Sequence, residues 1–472
     1  MPGVCGSDRS IGAVGAKGFG VGAGKKTAQV AVEQNGEVKR VLEKIAQAKE
    51  MDLEGWENAL RSAVLAAGAG ALEALLRGVG CGREPEAVWC TCGRRMESRG
   101  IQRKEVLTIL GPVRYERSRF ECSCGASRYP GDEMLDIVGT SRSPGLRRMM
   151  ARSGSQSTFK EGSEDLRVYA GIRVSPKDLE RVAEGIGADM EEWAGAERQR
   201  ALTSAAVHLR PTIPVLYVSY DGTGVPMTKV EVAGRKGKQA DGSAKTREAK
   251  LGCVFTQTTT DEEGYAVRDP ESTTFVGAIE SAEAFGERIY AESVRRGLEA
   301  AKQVVILGDG AQWVKNLAQM HFPHAVVIVD LYHARQHVSD LCKVLFAGAE
   351  KKVERFRMRW WADLNEGKVE RIVLQARLEA EDIPDAGRAK KVEGEIQYLE
   401  KNREHMRYAQ FRAQGLFVGS GVIEAGCKTV IGQRLKQSGM EWSVRGANAI
   451  ISLRSIIKSG RFEDYWESRM AV

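Results

Sequence analysis

Apolar positions recur with helical spacing early in the chain and with strand spacing in its middle. Val38, Val41, Leu42 and Ile45 form one helical stripe, and Leu60, Val64 and Leu65 begin a second. Residues 106–109 and 113–119 alternate as strands do, with Gly111-Pro112 as the turn between them. Helical spacing returns over 143–210. Leu166, Tyr169 and Ala170 share a face that ends at Gly171, a fitting C-cap. Ser175 then suits an N-cap, with Pro176 in the first turn and Asp178 at N3. Leu179, Val182, Ala183 and Ile186 follow on one helical face. Two helices joined by a Gly-containing turn have a helix-turn-helix outline, an outline that plain helix packing shares.

From about residue 213 the period shortens. Strands are predicted at 214–220, 251–260 and 272–276, a helix at 281–301, a strand at 303–307, a helix at 312–319 and a strand at 325–329. This βββαβαβ order starts like an RNase H-like α/β core. Residues 334–415 are charged and helical in pattern, with Trp360-Trp361 and a break at Pro384. They read as an all-helical insertion.

The expected fold class is therefore a multidomain α+β chain. Its segments are a disordered leader (1–34), N-terminal helices (35–82), a zinc-ribbon-like module (83–142) and a helix-turn-helix-like, DNA-binding region (143–210). The first part of the core (211–333), the insertion (334–415) and the last part of the core (416–472) follow.

Composition narrows the class. The chain has 472 residues, 42% of them hydrophobic, too long for one compact domain. No run approaches the roughly 18 continuous apolar residues of a membrane span, so no membrane partner is expected. The leader, which also reads as an overextended start, is broken by glycines and lacks a signal-peptide core, so a cytoplasmic, nucleoid-associated protein is expected. The net charge of +7 is unevenly spread. Windows 94–119, 229–250 and 425–461 carry +5, +4 and +6, so the remaining residues carry −8. Basic islands on an otherwise acidic chain suit a polyanion, and they also suit solvated surface.

Nine cysteines divide into a scatter and a pattern. Cys5, Cys81, Cys253, Cys342 and Cys427 stand apart. Cys90-Thr-Cys92-Gly93 and Cys122-Ser-Cys124-Gly125 resemble the knuckles of a zinc ribbon. Four thiolates suit tetrahedral Zn²⁺, and glycine lets the backbone turn around the sulfurs. Zinc knuckles usually place two residues between the cysteines, and here each pair has one. A reduced thiol cluster without metal is the rival reading.

Asp221 and Asp309 each follow a predicted strand, where an open α/β sheet lines its crevice. Carboxylates on adjacent strands can share two divalent cations, and Mg²⁺ suits hard oxygen ligands. Glu424, in Gly419-Ser-Gly-Val-Ile-Glu424, is the candidate third carboxylate. Each residue alone has a structural alternative, as a turn or first-turn helix residue. Asp330-Leu-Tyr-His333 places a possible helix cap and a histidine after another strand. Lys236 and Lys238 in one basic island, and Arg434, Lys436 and Trp442 in another, are candidates to hold phosphates and stack bases.

Taken together, these blocks resemble a bacterial insertion-sequence transposase of the DDE, RNase H-like superfamily, of the ISKra type. The carrying residues are Tyr217-Val-Ser-Tyr-Asp221-Gly-Thr-Gly-Val-Pro226, Gly308-Asp309-Gly-Ala-Gln-Trp313, Asp330-Leu-Tyr-His333 and Gly419-Ser-Gly-Val-Ile-Glu424, continued by Arg434-Leu-Lys-Gln-Ser-Gly-Met-Glu-Trp442. The resemblance implies a catalytic triad of Asp221, Asp309 and Glu424 on two Mg²⁺ ions. It further implies support from Asp330 and His333, double-stranded DNA as substrate, and a homo-oligomer on paired element ends. A haloacid-dehalogenase-like phosphatase would need a nucleophilic aspartate at position 219, which is serine. An inactive, transposase-derived DNA-binding protein is the other alternative.

Overall fold

The computed structural model describes residues 36–47, 52–77, 79, 87–203, 211–237, 239–381 and 383–470. The leader, Cys5, Cys81 and Lys238 lie outside the described residues. The chain divides into two compact units, residues 1–149 with 165–173, and residues 150–164 with 174–472.

The first unit holds helices α1 (Gly36–Ala46) and α2 (Leu53–Leu76), then β1 (Glu97–Thr108), β2 (Gly111–Glu121), β3 (Ser127–Arg128) and α3 (Pro130–Met134). The three strands form one antiparallel sheet in the order β1-β2-β3. Asp132 is buried and accepts from Lys104 Nζ at 2.8 Å, from Tyr115 and from Arg117, so a single carboxylate ties α3 to the sheet. Asp52 caps α2 through a bond from Gly55 N to its Oδ1 at 3.0 Å. The alanine-rich α2 packs on β2, where Arg114 N donates to Glu73 Oε2 at 3.1 Å. One expectation is corrected here: α2 is long and apolar enough, by length and composition only, to cross a membrane. Arg61 and Glu73 interrupt its run, so a test for continuous apolar residues passes over it.

The second unit is built on a five-stranded sheet. It comprises β4 (Ile213–Pro226), β5 (Thr246–Gln257), β8 (Thr274–Ala278), β9 (Ala301–Gly308) and β10 (Val326–Val329), with a small ribbon of β6 (Thr259–Thr260) and β7 (Ala266–Val267). The order is β10-β9-β4-β5-β8. β4, β9 and β10 run parallel, and β5 is antiparallel to both β4 and β8. Helices α7 (Lys229–Val232), α8 (Ala282–Arg295) and α9 (Gln312–His321) lie between the strands in sequence. Leu216, Val218, Tyr220 and Ile306 are buried on one face with Phe285 and Ile289 of α8 and Val314 and Leu317 of α9. Tyr217, Leu251, Val305 and Leu307 are buried in a separate, larger core. This alternation along β4 is what a sheet covered on both faces requires.

Helices α4 (Pro144–Gln156) and α5 (Phe159–Ala170) precede α6 (Pro176–Thr203). The turn before α6 matches the sequence reading, since Gly171 adopts φ +71° and Ser175 Oγ accepts from Asp178 N at 3.1 Å. α6 is a 28-residue core helix that packs along α17 (Val444–Lys458) and buries Leu179, Ala183, Ile186 and Met190. At Gly187 a Cβ would lie 2.1 Å from Ala449 O, so the two helices cross in contact there. Its other side, with Lys177, Arg181, Gly185, Asp189 and Glu192, is exposed.

The insertion is helical as expected. It runs through α10 (Leu331–Leu345), α11 (Glu350–Asn365), α12 (Val369–Ala380), α13 (Ala386–Asn402) and α14 (Tyr408–Ala413) around buried Trp360, Leu364, Ile372 and Ile396. The chain returns to the sheet through α15 (Gly421–Gly426), a π-helical turn (Cys427–Gly432), α16 (Gln433–Leu435), α17 and α18 (Phe462–Met470).

Candidate active site and candidate metal centre

The register of two strands sets the site. Ser219 of β4 pairs with Leu307 of β9, and Ser219 Oγ donates to Leu307 O at 2.8 Å. Asp221 and Asp309 each stand two residues further on, so parallel pairing brings both to the same end of the sheet. The reading of Asp221 as a turn residue is corrected, because β4 continues to Pro226, paired with β5. Gly222 and Gly224 face Glu248 and Thr246, where Cβ atoms would lie 2.5 Å and 3.1 Å from side-chain oxygens. Asp309 does turn the chain, and its Oδ1 accepts from Ala311 N at 2.9 Å.

Electrostatics link the residues. Burial raises the Asp221 carboxyl above its ordinary range, and the Asp309 charge adds to that rise. A hydrogen bond from Gly222 N at 2.7 Å and the nearby His333 act in the opposite sense. Cys427, three residues beyond Glu424, brings its Sγ to 3.7 Å from Asp221 Oδ2. Burial pushes the Cys427 thiol up to about 12, helped by the charges of Asp221 and Glu424. Glu424 itself is exposed on α15. The three carboxylates do not converge as a closed ligand set. Among the described residues only the four paired cysteines bring three or more ligand atoms within 4.8 Å of one another.

Asp330 and His333 have separate roles. Asp330 is buried and caps α10, accepting from His333 N at 2.6 Å and from Ser420 N. It is thus a positioning carboxylate beneath the site. His333 packs edge-on to His337 at 4.9 Å between ring centres. His337 stacks on Tyr398 at 3.7 Å and bonds Glu395 through Nδ1 at 2.6 Å. Tyr398 donates to Asp309 O at 2.8 Å. Sequence reasoning passed over His337, Glu395, Tyr398 and Cys427. The four-residue spacing of His333 and His337 on one helical face was the available signal. Nothing local marks Tyr398, which reaches Asp309 from the insertion.

The basic candidates separate by burial. Lys436 is exposed and donates to Thr223 Oγ1 on β4, and Lys236 is exposed in the loop before β5. Arg434 and Trp442 are corrected from DNA contacts to core residues. Arg434 is fully buried, donates to Gly154 O at 2.9 Å and lies 4.4 Å from the Phe159 ring centre and 5.0 Å from that of Trp442. Trp442 is 6% exposed and donates through Nε1 to Leu435 O at 3.1 Å. A side chain enclosed by protein cannot stack on a base.

In the first unit the two cysteine pairs form matching loops. Cys90 N donates to Arg94 O and Gly93 N to Cys90 O; Cys122 N donates to Ala126 O and Gly125 N to Cys122 O. Gly93 and Gly125 adopt φ +80° and +89°. The sulfur separations Cys90–Cys124 and Cys92–Cys122 are both 3.6 Å. Tetrahedral Zn²⁺ with bonds of ~2.3 Å needs sulfurs ~3.8 Å apart, so the four can hold zinc despite the one-residue spacing. Backbone N–H donation from Cys92 lowers the Cys90 thiol to about 6.

A protein described as "UPF0236 protein in vanSb 3'region", from Streptococcus gallolyticus, is 22% identical over 386 residues, covering 78% of this chain and 75% of its own length. Among solved structures, the Drosophila P element transposase strand transfer complex aligns with 11% identity and a TM-score of 0.31, over 70% of this chain and 95% of that one. The model of the uncharacterised protein family UPF0236 matches residues 51–470, and the chain belongs to that family.

Proposed function

We propose that this protein is a DDE-type DNA transposase with an RNase H-like core, acting on paired element ends as a homo-oligomer in the bacterial cytoplasm. The observation that carries the reading is that Asp221 and Asp309 each lie two residues beyond the last paired residues of adjacent parallel strands, Ser219 and Leu307, with Cys427 of the Glu424 segment against Asp221. The strand order β10-β9-β4-β5-β8, with only β5 reversed, supports an RNase H-like arrangement.

The donor set suits a hard divalent cation. Asp221 is raised by burial and by a second carboxylate, an arrangement that bound positive charge relieves. Asp221 and Asp309 would hold Mg²⁺, with Glu424 as a further ligand. When bound, such ions stabilise the attacking and leaving oxygens of phosphodiester displacement. The chain's own residues do the rest. Asp330 holds residues 418–420 against β9 and α10, and so fixes where α15 begins. His333, when protonated, favours the ionised Asp221 carboxylate. Exposed Lys436 and Lys236 neutralise backbone phosphates, so DNA affinity falls with salt.

The test is strand cleavage of element-end DNA with Mg²⁺. Asp221→Asn, Asp309→Asn and Glu424→Gln each lower cleavage by more than about 100-fold, above the usual loss for an outer-shell partner. Full cleavage by Asp309→Asn would falsify the assignment. The open spacing of the three carboxylates also fits an inactive DNA-binding protein. A wild-type chain that retards this DNA and never cuts it would favour that reading.

A further inference from the structure

Beside Asp309 an open groove of about 440 Å³ is lined by residues of α9, α10 and α13. Two histidines of α10, His333 and His337, share that lining. The carboxylate chemistry proposed above makes no use of His337 or of the groups that hold it.

The sequence sets the pair. His333-Ala-Arg-Gln-His337 places two imidazoles four residues apart, on one face of a helix. Two histidines of one helix take a single metal ion at this spacing. The first turn is fixed, because Asp330 caps α10 and accepts from His333 N at 2.6 Å. The two ring centres lie 4.9 Å apart. Imidazoles bound to one ion at ~2.1 Å hold their ring centres ~4.5–5.2 Å apart, for angles between octahedral and tetrahedral. The observed separation is that of a chelating pair. The His333 ring can turn about χ2, a soft torsion, without leaving it.

A second observation is the partner of His337. Its Nδ1 lies 2.6 Å from Glu395 Oε2 on α13. An ionised carboxylate only accepts, so Nδ1 carries the proton and the lone pair stands on Nε2. Metal-binding histidines are held in this way, by a carboxylate on the nitrogen that does not bind. Tyr398 stacks on the same ring at 3.7 Å between centres and fixes its plane. A ring held from two sides has little freedom left to lose on binding.

We propose that His333 and His337 form a site for a divalent transition metal of the zinc, nickel or cobalt class. The assignment does not depend on the transposase reading. Imidazole nitrogen suits these ions, whereas Mg²⁺ takes oxygen ligands, so this pair and the carboxylates of Asp221 and Asp309 select different metals. Among the described residues no third side chain closes the site as the four cysteines close theirs. Water fills the remaining positions. Lys315 and Lys401 add positive charge to the groove, and Asp309 and Glu395 offset it. Two imidazoles hold an ion less firmly than four thiolates, so this ion leaves on dialysis while zinc on the cysteines stays. Without a metal the same contacts make a plain His–Glu pair, and the test separates the two.

The experiment titrates Ni²⁺ into the full, untagged chain at pH 7.5 by calorimetry. The cysteine site is first saturated with Zn²⁺ and free Zn²⁺ is removed. The wild-type chain should bind one Ni²⁺. His333→Ala and His337→Phe should each abolish that binding. Phenylalanine keeps a ring against Tyr398, and circular dichroism verifies each fold. Glu395→Gln, which leaves both imidazoles in place, should weaken binding by about 10-fold or more, the usual loss for an outer-shell partner. A wild-type chain that takes up no Ni²⁺ overturns the proposal. Uptake that survives in the folded His333→Ala and His337→Phe proteins overturns it too, because the ion then sits elsewhere. No DNA is present and no cleavage is scored, so the result stands apart from the fate of the transposase reading.

Discussion

Asp330 and Ser420 stand 90 residues apart in sequence and are joined by one hydrogen bond, from the Ser420 N–H to Asp330 Oδ2. The other oxygen of the same buried carboxylate caps α10 at His333. The bond closes the whole helical insertion into a loop and sets the segment that leads to Glu424. Removing it should cost both stability and positioning. Asp330→Ala should lower unfolding free energy by about 1.5–3 kcal/mol for each lost charge-assisted bond. Denaturant midpoints measure the first effect, and a fall in cleavage at saturating Mg²⁺ measures the second.

Asp221 is expected to trade stability for function. Its carboxyl is raised above the unfolded value of 3.8, so the folded state holds its proton more firmly than the unfolded state. Its contribution to stability is therefore greatest below 3.8 and is lost as pH rises through the folded value. Asp221→Asn should make the metal-free protein more stable at pH 7.5, by up to about 1 kcal/mol given the partial exposure of the site, while abolishing cleavage. A less stable variant at that pH would contradict the electrostatic account.

Two arginines and one lysine of the last basic island should behave oppositely. Arg454 donates through Nε to Val430 O at 2.7 Å and also to Ser155 O and Thr429 O. A lysine cannot reach three carbonyls from one position. Arg454→Lys should lower stability by about 2–4 kcal/mol, and Arg434→Lys should also destabilise. Lys436→Gln should leave the melting temperature in place and reduce the slope of log affinity against log salt by about 1. Thermal melts and salt titrations of DNA binding distinguish the two behaviours.

The paired cysteines predict one zinc per chain. Metal analysis of the purified protein should find it, and Cys92→Ser or Cys122→Ser should remove it. Because ligand binding and local folding are coupled, chelation should expose the β1–β2–β3 module to protease. The five-stranded sheet should keep its protection.

Much of the fold was legible locally. Ser175, Pro176 and Gly171 mark their turn through backbone chemistry that needs no tertiary partner. The strand predicted at 303–307 is the centre of β9, because buried parallel strands leave an unbroken apolar run. The Cys-x-Cys-Gly repeats announced paired loops, since glycine at each fourth position permits the same turn twice. Other readings failed where the deciding neighbour is distant. The predicted end of β4 falls six residues early, because Asp221-Gly222 looks like a turn until β5 pairs with it. Helix α6 gives no local sign that one of its faces packs against α17.

The sequence by itself determined which chemistry the chain carries: an acidic residue closing each of two apolar runs, four thiols in two turns, and cations gathered in islands. Periodicity reports that a residue has a buried face, and spacing reports which ligands share a loop. Neither identifies what covers that face. Only the tertiary structure decided that Asp221 and Asp309 stand side by side, because that depends on the register of two strands more than 80 residues apart. It also decided that Arg434 is enclosed while Lys436, two residues on, is exposed. A cation's role follows from whether carbonyls or water surround it, and long-range packing sets that.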